Sequence, residues 1–424
     1  MHLLKLTLLM ASFSLLGGIQ SSVAITLDEL ISQALQTYPT VLSKQAYKDA
    51  ASTDMTAAKL RFLPSPSVGT QRNQVAYNGQ GSSSLPATNI SISQPLFMGG
   101  GLIAGYNKAD ARLSAADFSL LEAREDVSKR LITSYGEWLK AWLKIQALEE
   151  SVRLHEKFVG LITRRYEQGV ASGADKDLGV SRLHQARAEL ESQKSVEESA
   201  LTTIGELSGM PVKRADLIGK TEVKVPVPNK SEGIPRGLTN SVAIQRFKYE
   251  AEAADAEAKE VRAQALPQVS FQAQRQIGNA YLPGAQGYDM YGLVVSYAPG
   301  GGLSSIASSS AALDRARGAL IGVDTAKRDL TDKLNAEYNE HDFALLKKEN
   351  LQRSVELSGD ISASYDRQYL VGRKSWLDLM NAVRERAQTR VQLADAEASL
   401  IASSRRLLVY INGTSQFEMT KSSP

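Results

Sequence analysis

Apolar residues between positions 127 and 145 recur with helical spacing. Val127, Leu131, Tyr135, Trp138, Trp142 and Ile145 follow one another at intervals of 4, 4, 3, 4 and 3 residues, the spacing of a coiled-coil-like seam along one face of a long helix. A second pattern, of period two, occupies short segments. In 268–276, Val269, Phe271 and Ala273 alternate with Ser270, Gln272 and Gln274. In 288–297, Tyr291, Leu293, Val295 and Tyr297 share one parity, and Ile90 and Ile92 alternate with Asn89, Ser91 and Ser93. This alternation predicts strands with one apolar and one polar face. Asn78-Gly79 and Pro283-Gly284 supply turn chemistry between them.

Prolines set the boundaries. They stand at 39, 64, 66, 86 and 95, then at 211, 226, 228, 235, 267, 283 and 299, and last at 424. The two long intervals without proline can be continuous helix. Long helices are predicted over about 102–166 and 303–369, each on the order of 95 Å at 1.5 Å per residue. Return helices are predicted over 176–207 and 377–411, and opening helices over about 26–61 and 239–265.

This order is written twice. Leu63-Pro64 returns as Leu266-Pro267, and Tyr166, Gly169 and Asp175 return as Tyr369, Gly372 and Asp378, all 203 residues later. Gly99-Gly100-Gly101-Leu102 returns 201 residues later at 300–303, and Leu207-Ser208-Gly209 returns as Ile411-Asn412-Gly413 after 204. Shifted by 203, the seam reads Leu330, Leu334, Tyr338, His341, Leu345 and Lys348, so four of its six positions stay apolar or aromatic. Residues 25–210 and 237–413 therefore read as two copies of one unit, with a connector at 211–236 and a tail at 414–424. The predicted fold class is mainly α with a small β part. It is a tandem repeat of helix, β-hairpin, long helix and helix, in which long and return helices form antiparallel coiled-coil hairpins. Strands at about 66–97 and 268–298 are too few for an independent sandwich and suit a barrel shared between copies. In the repeated Tyr-x-x-Gly-x₅-Asp element, Gly fits the position just past a helix C-terminus. Asp fits a helix N-terminus, where it accepts orphan N–H bonds and meets the positive end of the dipole.

The first 24 residues differ from the rest. The weakly basic start MHLLK, the apolar LTLLMASFSLLGG and the small-x-small Ser22-Val23-Ala24 predict a signal peptide cleaved after Ala24, and hence export to the periplasm or outer membrane. The chain has no cysteine, which excludes disulfides, thiolate chemistry and a lipid anchor on an N-terminal cysteine. A net charge of +3 with acids and bases interspersed argues against a nucleic-acid surface. No later stretch has the apolar length of a membrane helix, so a crossing has to use strands. His2, His155, His184 and His341 form no metal-spaced pair and no Ser/His/Asp pattern; no enzyme activity, catalytic residue, metal or cofactor is expected. The triple glycines lack the lysine of a phosphate loop and are expected to ease the strand-to-helix bend.

Taken together, these features resemble the TolC family of outer-membrane efflux and secretion channels. The resemblance covers nearly all of the chain after the leader. It rests on the tandem repeat, the Leu-Pro before each first strand, the element Gln94-Pro95-Leu96-Phe97-Met98-Gly99-Gly100 and the two Tyr-x-x-Gly-x₅-Asp turns. It implies a homotrimer in the outer membrane, with a twelve-stranded transmembrane β-barrel and an α-barrel tunnel reaching through the periplasm. Tyr288, Tyr291 and Tyr297 would suit an aromatic belt at the lipid interface. A periplasmic adaptor (membrane-fusion) protein and an inner-membrane transporter would dock at the helical tips, around Tyr166, Gly169 and Gly372. The resemblance also implies a constriction at the periplasmic end. Tyr369 matches a tyrosine that helps to hold the entrance closed. Lys374 stands where a basic residue pairs with the aspartate of the first tip, here Asp175. Asp378 matches an aspartate whose threefold ring narrows the pore, and Asn381 replaces a second ring aspartate, which weakens the expected cation preference. Read as residues alone, Asp175 and Asp378 also suit plain helix caps, and Lys374 a solvated loop lysine.

The segment WLDLMNAVRERAQTRVQLADAEASL is similar to the type I secretion branch, in which an ABC transporter drives export of unfolded protein such as a large surface adhesin. Two alternatives stay open: the outer-membrane part of a multidrug efflux pump driven by protons, and a periplasmic coiled-coil tether with no pore.

Overall fold

The computed structural model describes residues 25–77, 81–217, 226–278, 287–298, 301 and 304–414. The expected leader with its Ala24 cleavage point, the turns at 78–79 and 283–284, most of the second triple glycine and most of the tail lie outside the described residues. Thirteen elements follow in order: α1 (Leu27–Thr37), α2 (Pro39–Leu60), β1 (Ser65–Tyr77), β2 (Gly81–Phe97), α3 (Gly101–Glu167), α4 (Gly173–Ser208), α5 (Arg214–Leu217), α6 (Lys230–Asn240), α7 (Val242–Gln264), β3 (Gln268–Ile277), β4 (Tyr288–Ser296), α8 (Ser304–Leu370) and α9 (Trp376–Asn412). The elements α1, α2, β1, α3 and α4 each begin 203 residues before α6, α7, β3, α8 and α9.

Two expectations need correction. Each opening helix is two helices. Tyr38 breaks the first with an extended backbone (φ −69°, ψ 127°), and Pro39 begins α2 where its missing N–H costs nothing. Ser241 breaks the second (φ −60°, ψ 117°) and accepts the Ile244 amide. The second copy also begins earlier than residue 237. The helix α6 starts at Lys230, inside the expected connector, and carries Pro235 within it.

The long helices α3 and α8 have 67 residues each, which makes them about 100 Å long. None of the described helices is long and apolar enough to cross a membrane. The helices α4 and α9 return beside α3 and α8, while α7 and α9 of the second copy also lie on α3. The seam is the core. Val127, Leu131, Tyr135, Trp138 and Ile145 are buried, and the partly buried Trp142 stacks on Trp138 at 6.0 Å. The apolar face of α1 closes over them with Leu27, Leu30 and Ile31. In the second copy Leu334 and Tyr338 pack on Leu407 and Ile411, and the Tyr338 hydroxyl donates to the Pro228 carbonyl at 2.9 Å. A Cβ at Gly136 would stand 2.8 Å from that of Ala402. The close approach of α3 and α9 at this level therefore needs glycine.

The four strands form one antiparallel sheet in the order β1-β2-β3-β4. Its register puts Val68 beside Ile90, Ile92 beside Ala273, and Ala273, Phe271 and Val269 beside Tyr291, Leu293 and Val295. This apolar face is uncovered in the single chain: Val68 is 74% exposed, Leu293 67% and Tyr291 80%. The opposite face carries Ser67 and Ser91, with hydroxyls 2.7 Å apart, along with Gln272 and Gln274. Tyr288, paired with Gln276, has the opposite parity to Tyr291, so the two tyrosines lie on opposite faces. A bulge between Pro95 and Phe97 bends β2 toward α3. In this sheet β1 and β4 are edges, each paired on one side only.

Gly169 (φ 74°) and Gly372 (φ 76°) take the left-handed conformation just past α3 and α8, as a helix C-terminus favours. The return helices are capped differently from expectation. They begin at Gly173 and Trp376, and the caps are Ser172 and Ser375, whose hydroxyls accept the amides of Asp175 and Asp378. The aspartates are the third helical residues. Asp378 completes a capping box by accepting the Ser375 amide at 3.3 Å, and Asp175 accepts the Ser172 hydroxyl at 2.8 Å. A serine-to-alanine change at such a cap costs about 1 kcal/mol. Ser375→Ala is thus expected to speed amide exchange in the first turn of α9 about fivefold, with α4 unchanged; equal protection in both proteins would reject the cap as a stabilising device.

Glu125 is a buried acid on α3, 9% exposed. Its Oε1 lies 3.5 Å from where a Cβ on Gly413 would stand, at the end of α9. Burial pushes its carboxyl up to about 7, with Asp126 and Glu122 adding to the rise and Lys129 opposing it. Lys129 in turn lies over the Tyr410 ring of α9 at 4.5 Å. The neutral acid suits the fold. Its stabilising share is complete below the ordinary carboxylate range and is lost as pH rises through 7. Glu125→Gln should match the parent near pH 3.5 and exceed it by up to about 3 kcal/mol above pH 8. Thermal unfolding across this range checks it, and parallel curves would refute the assignment.

Candidate functional site at the helical tips

The two helical hairpins end side by side. Arg165, in the last turn of α3, donates to the Leu370 carbonyl at 3.4 Å and sets its guanidinium 4.7 Å over the Tyr369 ring. Tyr369 is only 6% exposed and packs on Trp376 at 5.5 Å, which meets Phe158 edge-on at 6.5 Å. Trp376 also touches α4, where its ring leaves just 3.0 Å for a Cβ at Gly179. Lys157 and Asp366 add an ion pair at 2.6 Å. One aromatic cluster therefore joins α3, α4, α8 and α9 at their ends.

The repeated tyrosines are not used alike. Tyr369 is buried in this cluster, whereas Tyr166 is 44% exposed, with the Lys176 ammonium 5.0 Å over its ring. Lys374 lies over the Tyr365 ring at 4.4 Å, and Asp175 is engaged by Ser172. Within one chain the structure forms no ion pair between Lys374 and Asp175 among the described residues. Hydrogen bonding from Ser375 holds the Asp378 carboxyl below the usual carboxylate range, and the Lys374 charge adds to this. Asn381 is exposed one turn further along α9. Gly169 and Gly372 turn the chain at the outermost points, beside Val170 (70% exposed) and Val371 (69% exposed).

Sequence reasoning missed Arg165, Trp376 and the two serine caps. The caps were signalled: a serine stands three residues before each aspartate, the spacing of a capping box. Arg165 gave no such sign, because its use depends on the neighbouring hairpin. His155 is buried as well. Its Nδ1 donates to the Ser151 carbonyl at 2.8 Å, and burial pushes its pKa down. Among the described residues no group of acids and histidines could hold a metal ion.

Residues 30–209 match the family described as outer membrane efflux protein. No match is found among curated proteins. In fold, the chain is similar to the outer membrane protein VceC from Vibrio cholerae, with a TM-score of 0.81 at 16% identity over 91% of this chain and 96% of that one. It is similar to the Campylobacter jejuni CmeC outer membrane channel, with a TM-score of 0.75 at 15% identity over 94% and 89%. The open state of the Neisseria gonorrhoeae MtrE outer membrane channel gives 0.62 at 16% identity over 92% and 89%. At such identities the structural likeness shows the fold. The matched segment is almost the whole first copy, and the chain has the fold of the TolC-like outer membrane channels.

Proposed function

We propose that three copies of this chain form an outer-membrane channel that serves a type I secretion system as a passive conduit for an exported protein. TolC-family channels, whose fold this chain has, are homotrimers that work with adaptor proteins and inner-membrane pumps. The observation that carries the reading is the sheet: four strands with an uncovered apolar face and two open edges. Only closure with further strands satisfies those edges in lipid. A tether without a pore would have no use for such a face. Helices of about 100 Å then extend the bore into the periplasm, and an adaptor and an ABC transporter engage the exposed Val170 and Val371 turns. Support for protein cargo comes from the resemblance of 376–400 to the secretion branch. The family description favours a second reading, efflux of small molecules by a proton-driven pump.

The tips are then the periplasmic entrance. Tyr369 and its cluster hold each inner hairpin against its neighbour. Lys374 reaches Asp175 of an adjacent copy, since the two form no ion pair within one chain among the described residues, and Asp378 forms a ring facing the bore.

Purified protein in planar bilayers should give discrete conductance steps, and a preparation that forms trimers yet never conducts would end the conduit reading. Asp175→Ala or Lys374→Ala should raise single-channel conductance, and Asp378→Asn should lower cation preference; unchanged currents would remove these residues from the gate. Deleting the gene separates the cargo classes. Loss of a surface protein with unaltered drug sensitivity supports secretion, and the reverse result supports efflux.

A further inference from the structure

Seven arginines stand on the return helices α4 and α9, and five of them hold carboxylates. Arg187 pairs with Glu156 at 2.7 Å, Arg386 and Arg390 grip Glu150, Arg405 pairs with Asp28 at 3.4 Å, and Arg406 pairs with Glu337 and Glu340, each at 2.9 Å. The other two, Arg182 on α4 and Arg384 on α9, form no ion pair among the described residues. Arg182 donates to the neutral side chain of Gln185 at 2.9 Å. Both arginines line one groove of about 340 Å³ between α3, α4 and α9. There α4 and α9 barely touch each other, since each lies on its own long helix and α9 also on α3. Two like charges facing a shared groove repel, and a carboxylate that would offset them is missing.

The floor of the groove carries a third polar group. His155 of α3 lines it and is only 4% exposed. Its Nδ1 donates to the Ser151 carbonyl at 2.8 Å, which leaves Nε2 as the ring atom able to serve the groove. Burial and the Arg182 charge favour the neutral ring, against the Ser151 carbonyl. In that state Nε2 is a hydrogen-bond acceptor, and it has no partner among the described residues. The groove thus offers two cationic donor forks and one buried acceptor.

We propose that this groove binds one inorganic phosphate ion, held by Arg182 from α4 and Arg384 from α9, with His155 Nε2 accepting its P–O–H proton in a hydrogen bond. Guanidinium forks match the paired oxygens of such an ion. The acceptor narrows the choice. Inorganic phosphate keeps a P–O–H at neutral pH, sulfate and carboxylates keep none, and a phosphomonoester, with a second pKa of about 6, has mostly lost its own. An anion with no proton would leave the buried Nε2 unpaired, which costs binding energy. Glu189 also lines the groove, two turns along α4 from Arg182 and about 10 Å away, where its charge weighs against a larger polyanion. His155, Arg182 and Arg384 all lie within about 20 Å of the tip ends of their helices. A bound ion would tie α4 to α9 there. Every residue involved belongs to one chain, so the site stands apart from the trimer and cargo readings.

Phosphorus NMR of inorganic phosphate titrated with the purified full chain in detergent, near neutral pH, reads the site. Saturable binding is expected, with sulfate, acetate and glycerol phosphate competing at least about tenfold more weakly. Arg182→Gln and Arg384→Gln should each weaken phosphate binding about tenfold and together about a hundredfold. Arg187→Gln, at an arginine already paired outside the groove, should leave it unchanged. His155→Leu, checked for folding by its thermal transition, should bring phosphate down to the level of sulfate. Should that variant not fold, sulfate competition in the parent still decides the role of the ring. No saturable binding, or binding that survives the double arginine change, overturns the site. Sulfate binding as tightly as phosphate overturns the assignment of the ion and of His155.

Discussion

An open sheet edge is the constraint on which the rest of this structure depends. Backbone N–H and C=O groups along β1 and β4 have partners on one side only, and one face of the sheet carries uncovered apolar side chains such as Val68, Tyr291 and Leu293. Unpaired groups of this kind cost several kcal/mol each in hydrocarbon, so four strands have no stable place in a bilayer until other strands complete them. The duplication answers part of this need. Each copy supplies one hairpin, and the β2–β3 pairing joins the two copies edge to edge. In the proposed trimer the remaining two edges are left for further copies. Sparse strands, a uniform 203-residue period and long helices leading away from the sheet all follow from building a closed wall out of a repeated unit.

Along the helices the means of holding the wall changes with height. Near α1 the contacts are dry and close, with Trp138 fully buried and Gly136 set against Ala402. Further toward the tips α3 and α9 are joined mainly through charged side chains: Lys144 with Asp395, then Glu150 with Arg386 and Arg390. At the tips the aromatic cluster takes over. Small residues fix an approach distance and resist sliding, whereas partly exposed ion pairs contribute little and weaken in salt. The belt around Trp138 is accordingly the rigid level, and the ionic stretch is where hairpins can shift at low cost.

Most of the architecture was legible because it is carried by periodic signals that a single chain displays: helical spacing at the seam, alternation in the strands, and punctuation at Leu63-Pro64 and Gly169 that returns 203 residues later. What escaped was of another kind. The Tyr38 and Ser241 breaks are set by two extended residues inside otherwise helical patterns, and the Lys230 start of α6 was hidden by Pro235. Of the tip residues, Gly169, Gly372, Asp175 and Asp378 announce themselves by repetition. Arg165 and Trp376 act only across hairpins, and nothing local in the sequence marks such contacts.

The fate of Asp378 shows why the capping device matters beyond local stability. Bringing three like carboxylates around one axis raises their pKa and favours the neutral form. Such a ring would lose charge just where the bore is narrowest. In this chain the carboxyl begins from the opposite condition, because hydrogen bonding from Ser375 and the nearby Lys374 hold it below the usual range before any second copy arrives. The N-terminus of α9 adds its positive dipole end in the same sense. In the proposed trimer the same serine that starts the return helix would oppose that rise. Asn381, exposed one turn on, adds no further negative charge to the ring that the proposed trimer would form. In the proposed trimer, helix capping and pore electrostatics would then be two consequences of one hydrogen-bonded turn at the start of α9.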